Sequence, residues 1–186
     1  VRFCRVGRVA LDALQSALPG YAGDLRRNLA SVTDDGLLPP QQLWGALLAC
    51  AIAVRSPAVL RAVAPEARER LAPEAYDAAR SAAAAMAANN VFFRARHLLS
   101  DPGYGHLRSG LRTNVLGARG VPRADYELWC VAVSAVGGCG ACLDEHERAL
   151  RRTGADRRTV QEALKVAAVV QAAGTVLDAE AVLGDG

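Results

Sequence analysis

The 186-residue chain predicts an all-α fold. Alanine and leucine fill long stretches whose apolar residues recur at helical spacing, and strand-like alternation is scarce. Aromatic residues make up only 5% of the chain, leaving little of the material from which pleated surfaces are packed. Several stretches also carry the boundary residues of helices.

Taken in order, helices are expected over residues 10–18, 21–32 and 40–55. The next, over 57–71, starts where Ser56-Pro57 places a proline in a first turn, and Ala72-Pro73 does the same for the one over 73–89. Asn89-Asn90 is either a helix boundary or a backbone hydrogen-bonding feature, and a further helix is expected over 90–99. Pro102-Gly103 and Gly120-Val121-Pro122 punctuate the middle, with helices expected over 106–116 and 123–136. Gly137-Gly138 ends an apolar run before a helix over 139–152. Gly154 follows the basic last turn of that helix, and Asp156 can cap the final one, over 156–182.

Such a length fits one domain with a substantial core. Residues 1–8, VRFCRVGR, join no periodic pattern and are expected to be a disordered extension, with Cys4 incidental. The domain then spans 9–186. Within it, placing residues 42–91 over 127–176 aligns Gln42-Leu43-Trp44 with Glu127-Leu128-Trp129 and a later series of alanines with alanines, which suggests a duplicated helical unit.

Charge and hydropathy exclude several roles. A net charge of +3, with arginines spread over many helices, leaves no nucleic-acid footprint. The apolar stretch 163–177 contains Lys165 and Gln171 and is short for a membrane span, so no membrane segment is expected. Asp12 and Gln15 interrupt the apolar residues after the N-terminal arginines, so no secretory leader is expected either. Five cysteines with a single close pair fit a reduced, cytoplasmic protein. Cys50 and Cys130 stand in apolar helices and read as inert core, and His97 and His106 as ordinary surface histidines.

Chemistry concentrates in GGCGACLDEHERAL. Cys139 and Cys142 form a C-x-x-C at a helix start, where unpaired N–H groups and the dipole favour a thiolate at Cys139. His146 follows Cys142 by four residues, on the same helix face, where an imidazole can take the thiol proton directly or through a water. Asp144, Glu145 and Glu147 fall on other, solvated parts of that helix. Glu127, in the apolar YELWCVAVSAV, is either first-turn decoration or the group that poises His146. In the other copy of the repeat, Gln42, Val54, Pro57 and Arg61 stand where Glu127, Cys139, Cys142 and His146 are, so the reactive groups are confined to one copy as a set. A structural zinc site would need four ligands, with Glu127 as the fourth, and no second C-x-x-C exists. No metal is expected.

Through ALPGYAGDLRRNL, QQLWGALLA, NNVFFRARHLL, PRADYELW, the C-x-x-C with its histidine and GADRRTVQEALK, the chain resembles the alkylhydroperoxidase AhpD family of the carboxymuconolactone decarboxylase-like superfamily, from Val9 to about Leu183. The resemblance implies a compact all-helical homotrimer, active as a lipoyl-dependent thiol peroxidase and disulfide reductase of antioxidant defence. It would reduce hydroperoxides or the disulfide of an AhpC-type peroxiredoxin. Dihydrolipoamide on a lipoyl-bearing 2-oxo acid dehydrogenase component would regenerate it, with no tightly bound cofactor. It also implies Cys142 as attacking thiol, Cys139 as resolving thiol and disulfide partner, His146 as proton acceptor and Glu127 as proton relay. In the family a histidine precedes the second cysteine, and here that position is Ala141. The alternative function is a carboxymuconolactone decarboxylase-like lyase or small-molecule-binding protein with redox-sensing cysteines.

Overall fold

A computed structural model describes residues 9–34, 36–112 and 120–184. Among these residues the architecture is helical throughout, with no strand. The helices are α1 (Val9–Ala17), α2 (Gly23–Asp34), α3 (Pro40–Val54), α4 (Pro57–Arg70), α5 (Pro73–Leu98), α6 (Arg123–Gly137), α7 (Gly140–Arg152) and α8 (Arg157–Leu183). Short 3-10 turns at Gly20–Ala22 and Pro102–His106 join some of them. The extension expected over 1–8, with Cys4, lies outside the described residues.

At the centre α3 and α6 lie side by side, and each also packs against α5 and α8. Both are apolar almost all round, which buries a helix on every side: Leu43 to Ala51 of α3 and Leu128 to Ser134 of α6 are continuously buried. Their close approach depends on Gly45. A Cβ there would stand 2.1 Å from Cε2 of Trp129, whose ring is wholly buried and whose Nε1 donates to the Gln42 carbonyl at 3.0 Å. The starts of the two helices are tied as well, since Gln41 and Gln42 donate to the Asp125 carboxylate at 2.6 and 2.7 Å. By length and composition α8 could cross a membrane, yet here it is a core helix packed on α2, α3, α4 and α6.

Two expectations for the middle of the chain differ from the structure. The break at residues 89–90 is absent, and α5 runs unbroken to Leu98. Asparagine is a weak helix former, but Asn90 turns its side chain into the protein and donates from Nδ2 to the Val133 carbonyl at 3.1 Å, a contact that holds α5 against α6. The helix expected over 106–116 does not form across 107–112: Leu107 is extended after the 3-10 turn and the next five residues have no regular structure. The proline signals do set boundaries, with Ser56 capping α4 and Pro57 and Pro73 opening α4 and α5. Asp156 caps α8 by accepting the Thr159 N–H at 2.8 Å.

The order α3, α4, α5 recurs as α6, α7, α8, with lengths of 15, 14 and 26 residues against 15, 13 and 27. Neighbours recur too: α4 packs on α3 and α8, and α7 on α6 and α5. We propose on this ground that the triplets are copies of one unit.

Candidate active site

Gly137 and Gly138 set the position of the C-x-x-C, each for a different reason. A Cβ at Gly137 would stand 2.3 Å from Nδ2 of Asn90, so the end of α6 can pass under α5 only without a side chain. Gly138 adopts φ +63°, the left-handed cap that glycine takes without penalty. Its N–H and that of Cys139 then satisfy the last carbonyls of α6, with Cys139 N donating to the Ser134 carbonyl at 3.2 Å. From the α5 side the Arg94 guanidinium donates to the Gly137 carbonyl. The chain leaves this turn with Cys139 as the N-cap of α7.

There the two sulfurs lie 2.7 Å apart, as free cysteines. Both are enclosed, Cys139 fully and Cys142 with 5% of its surface exposed. The N–H of Cys142 points at Cys139 Sγ from 3.3 Å, so the backbone donor of the helix start goes to the first cysteine. Cys142 receives no such help. Burial, then the hydrogen bond and charge of Cys139, push its thiol up to about 12, and a base is needed to draw its proton off near neutral pH.

His146 and Glu127 form that neighbouring pair. Nδ1 of His146 lies 2.8 Å from Oε2 of Glu127, and the other carboxylate oxygen accepts from Arg123 Nε at 3.3 Å. Burial raises the Glu127 carboxyl, but hydrogen bonding and charge from His146, then from Arg123, outweigh it and hold the group below its ordinary 4.5. An ionised carboxylate facing Nδ1 accepts a hydrogen bond from the N–H there and leaves Nε2 as the unengaged nitrogen of the ring. Cys142 and His146 share a face of α7, but among the described residues no hydrogen bond joins His146 to either sulfur. Asp144, Glu145 and Glu147 instead meet Arg148, Arg152 and Arg151 on the helix surface.

The structure thus brings Glu127, Cys139, Cys142 and His146 into one neighbourhood at the α6–α7 junction. Cys50 and Cys130 are buried in the core, and burial pushes both thiols up, Cys50 to about 12. No cluster of three His, Cys, Asp or Glu side chains among the described residues could hold a metal ion. Arg94, which with Asn90 fixes the end of α6, is missed in the sequence reading, whereas Asn90 is the backbone hydrogen-bonding feature given there as one alternative. His97 is exposed, as expected, and with Phe93, Arg96 and Leu99 it lines a cleft of about 280 Å3 that reaches Ala141, the residue between the two cysteines in sequence.

A helical fold with a dithiol at the mouth of its second triplet defines the class, and comparison with known proteins places it. The carboxymuconolactone decarboxylase family matches residues 102–185, a span containing Glu127, both cysteines and His146. The chain is 64% identical over 177 residues to the alkyl hydroperoxide reductase AhpD of Streptomyces avermitilis, covering 95% of this chain and 100% of the relative. For the AhpD protein of Streptomyces griseus the identity is 63% over 177 residues, with the same coverage. For that of Mycolicibacterium paratuberculosis it is 50% over 162 residues, covering 87% of this chain and 90% of the relative. The chain belongs to the alkylhydroperoxidase AhpD family, within the carboxymuconolactone decarboxylase-like superfamily.

Proposed function

We propose that the protein is a lipoyl-dependent thiol peroxidase and disulfide reductase of antioxidant defence, working in the reducing cytoplasm. The observation that carries this reading is the adjacency of the Cys139–Cys142 sulfurs to the His146–Glu127 pair. A lactone decarboxylase has no use for a dithiol, whereas peroxide reduction uses every member of this set.

The reaction begins when His146 Nε2, through a bridging water, takes the Cys142 proton, and Glu127 stabilises the imidazolium that forms. The Cys142 thiolate attacks the terminal oxygen of a hydroperoxide. The O–O bond breaks, and the alkoxide leaves as an alcohol with the proton held by His146, so Cys142 becomes a sulfenic acid. The Cys139 thiol attacks that sulfur, a disulfide forms and water leaves. Dihydrolipoamide returns two electrons and two protons by thiol–disulfide exchange and departs as lipoamide. The same dithiol can attack the disulfide of an AhpC-type peroxiredoxin, Cys142 forming the mixed disulfide and Cys139 resolving it. No tightly bound cofactor enters these steps, and the electron donor is the lipoyl group of a 2-oxo acid dehydrogenase component.

Assembly as a homotrimer is part of the proposal. Six of the ten exposed large hydrophobic residues among those described, Val91, Leu98, Leu99, Tyr104, Leu107 and Leu111, fall within one 21-residue segment. Apolar surface concentrated this way marks an interface.

The deciding experiment supplies purified protein with dihydrolipoamide and either an alkyl hydroperoxide or an oxidised AhpC-type peroxiredoxin. Dihydrolipoamide-dependent loss of either substrate, abolished by Cys142→Ser, is expected. Turnover of neither would end this reading and leave the lyase or ligand-binding alternative.

A further inference from the structure

We propose that the cleft beside the dithiol binds a carboxylate-ended alkyl chain, with Arg96 and His97 taking the carboxylate and Ala141 standing at the reactive end. The inference rests on the redox reading of the dithiol and concerns which molecules reach it.

The cleft runs between the last turns of α5, the 3-10 turn and the first turn of α7, and its volume of about 280 Å3 is at the small end for ligand sites. Phe93, Leu99, Pro102 and Ala141 give it apolar walls suited to methylene groups. Ala141 stands between Cys139 and Cys142 in the first turn of α7, so the cleft reaches the dithiol turn, although neither buried cysteine lines it.

Arg96 supplies the polar end. Its guanidinium carbon lies 4.9 Å from the centre of the Phe93 ring and 5.6 Å from that of Phe92, and the two rings meet edge to face. Stacking of this kind fixes the plane of a guanidinium while leaving its edge free to donate. Of its five N–H groups, one reaches the Leu107 carbonyl at 3.4 Å, and no carboxylate among the described residues pairs with it. His97 has no hydrogen-bond partner among those residues. The one acid in the lining, Asp101, already spends Oδ1 on the Gly103 N–H at 2.8 Å. A pre-oriented guanidinium with unspent donors, at the polar end of an apolar cleft, is matched by a carboxylate, which it can hold through two parallel hydrogen bonds.

Along α5 the cleft and the proposed interface lie on different sides, and Leu99 beyond the helix belongs to both. At 100° per residue, Phe93, Arg96 and His97 project from one side of α5, and the exposed Val91 and Leu98 from the opposite side.

A carboxylate-ended chain could arrive as the oxidant or as a free dithiol acid distinct from the amide-linked lipoyl donor, and paired ligands separate the sources. Binding is tested first, by calorimetric titration of octanoate and of uncharged octanamide into the reduced full-length protein. Octanoate should bind at least about tenfold more tightly. Arg96→Gln should erase that preference while leaving octanamide affinity unchanged, and Arg96→Lys should restore part of it. Equal affinity for the two ligands, no binding of either, or equal weakening of both by Arg96→Gln would overturn the proposal. In turnover, kcat/KM is compared for a hydroperoxy fatty acid against its methyl ester, and for dihydrolipoate against dihydrolipoamide. An Arg96-dependent preference for the acid in the first pair assigns the cleft to the oxidant, in the second pair to the reductant, and in neither refutes it as a substrate site. Protein that turns over a hydroperoxide without binding octanoate loses only the cleft. Protein that binds octanoate through Arg96 but reduces nothing loses only the redox reading.

Discussion

Glu127 Oε2 and His146 Nδ1 meet at 2.8 Å across the junction of α6 and α7, although they are 19 residues apart in sequence. One residue belongs to the first turns of a core helix and the other to the helix that begins at the dithiol, so the contact links the core to the turn that carries the two thiols. With Nδ1 engaged by Glu127, Nε2 is the ring nitrogen left for proton transfer in the proposed mechanism.

In the proposed mechanism the reactivity of Cys142 depends on two residues with no hydrogen bond to it. His146→Phe removes the base, and Glu127→Phe removes the partner that orients and charges it. Each is expected to lower turnover by roughly 10²-fold or more. The rate of iodoacetamide alkylation at Cys142, followed against pH, should shift to higher pH in both variants. Identical titrations in wild type and both variants would mean that the pair plays no part in activating the thiol.

A second expectation concerns stability at high pH. The Cys142 thiol has a folded value of about 12 against an ordinary 9.0, so the fold favours its protonated form. The resulting stabilisation is fully present below pH 9 and is lost as pH rises toward 12. Reduced Cys142→Ser protein has no group there to ionise. Between pH 9 and 12 its melting temperature should fall less steeply than that of reduced wild type, while Cys50 and Cys130 contribute equally to both. Parallel curves would show that Cys142 is not held protonated by its surroundings.

The legible parts of this molecule were local in sequence. Helix starts at Ser56-Pro57 and Asp156, and the common face of Cys142 and His146, depend on neighbours within one turn, so spacing reveals them. Glu127 stands out as an acid in an apolar helix, and Gln42 at the matching position of the proposed repeat strengthens that reading. The features that stayed hidden depend on distant partners. Asn90 reads as either a helix boundary or a backbone hydrogen-bonding feature, and only the placement of Val133, 43 residues away, decides for the second. His97 is the surface residue that its sequence suggests, but the cleft it lines exists only because α7 is set against the end of α5. The expected helix over 106–116 failed over 107–112, where apolar residues at helical spacing face outward, with Leu107 and Leu111 exposed.

Gly45 gives a test of the central packing. With a Cβ there only 2.1 Å from the Trp129 ring, Gly45→Ala cannot be absorbed by rotation of a flexible side chain. Overpacking of this kind costs about 1–3 kcal/mol, or roughly 2–12 °C in melting temperature for a domain of this size. A melting temperature within error of wild type would show that α3 and α6 are less tightly apposed than described.

Gly138 should govern the chemistry more than the stability. Its φ of +63° is what turns the chain from the end of α6 into the N-cap at Cys139, and a side chain there meets nothing closer than Arg94 Nη1 at 3.8 Å. Space is therefore not the obstacle; backbone conformation is. Asparagine tolerates the left-handed region and valine does not. Gly138→Asn is expected to form the Cys139–Cys142 disulfide at close to the wild-type rate. Gly138→Val, forced toward negative φ, should move the N-cap and slow closure by an order of magnitude or more, at a stability cost of about 1–3 kcal/mol. Mass spectrometry of alkylated peptides, sampled over time after addition of peroxide, counts free thiols and disulfide directly. If Gly138→Val closes the disulfide as fast as wild type, the turn does not position the pair. If oxidised wild type itself retains two free thiols, the two cysteines do not act as a redox couple.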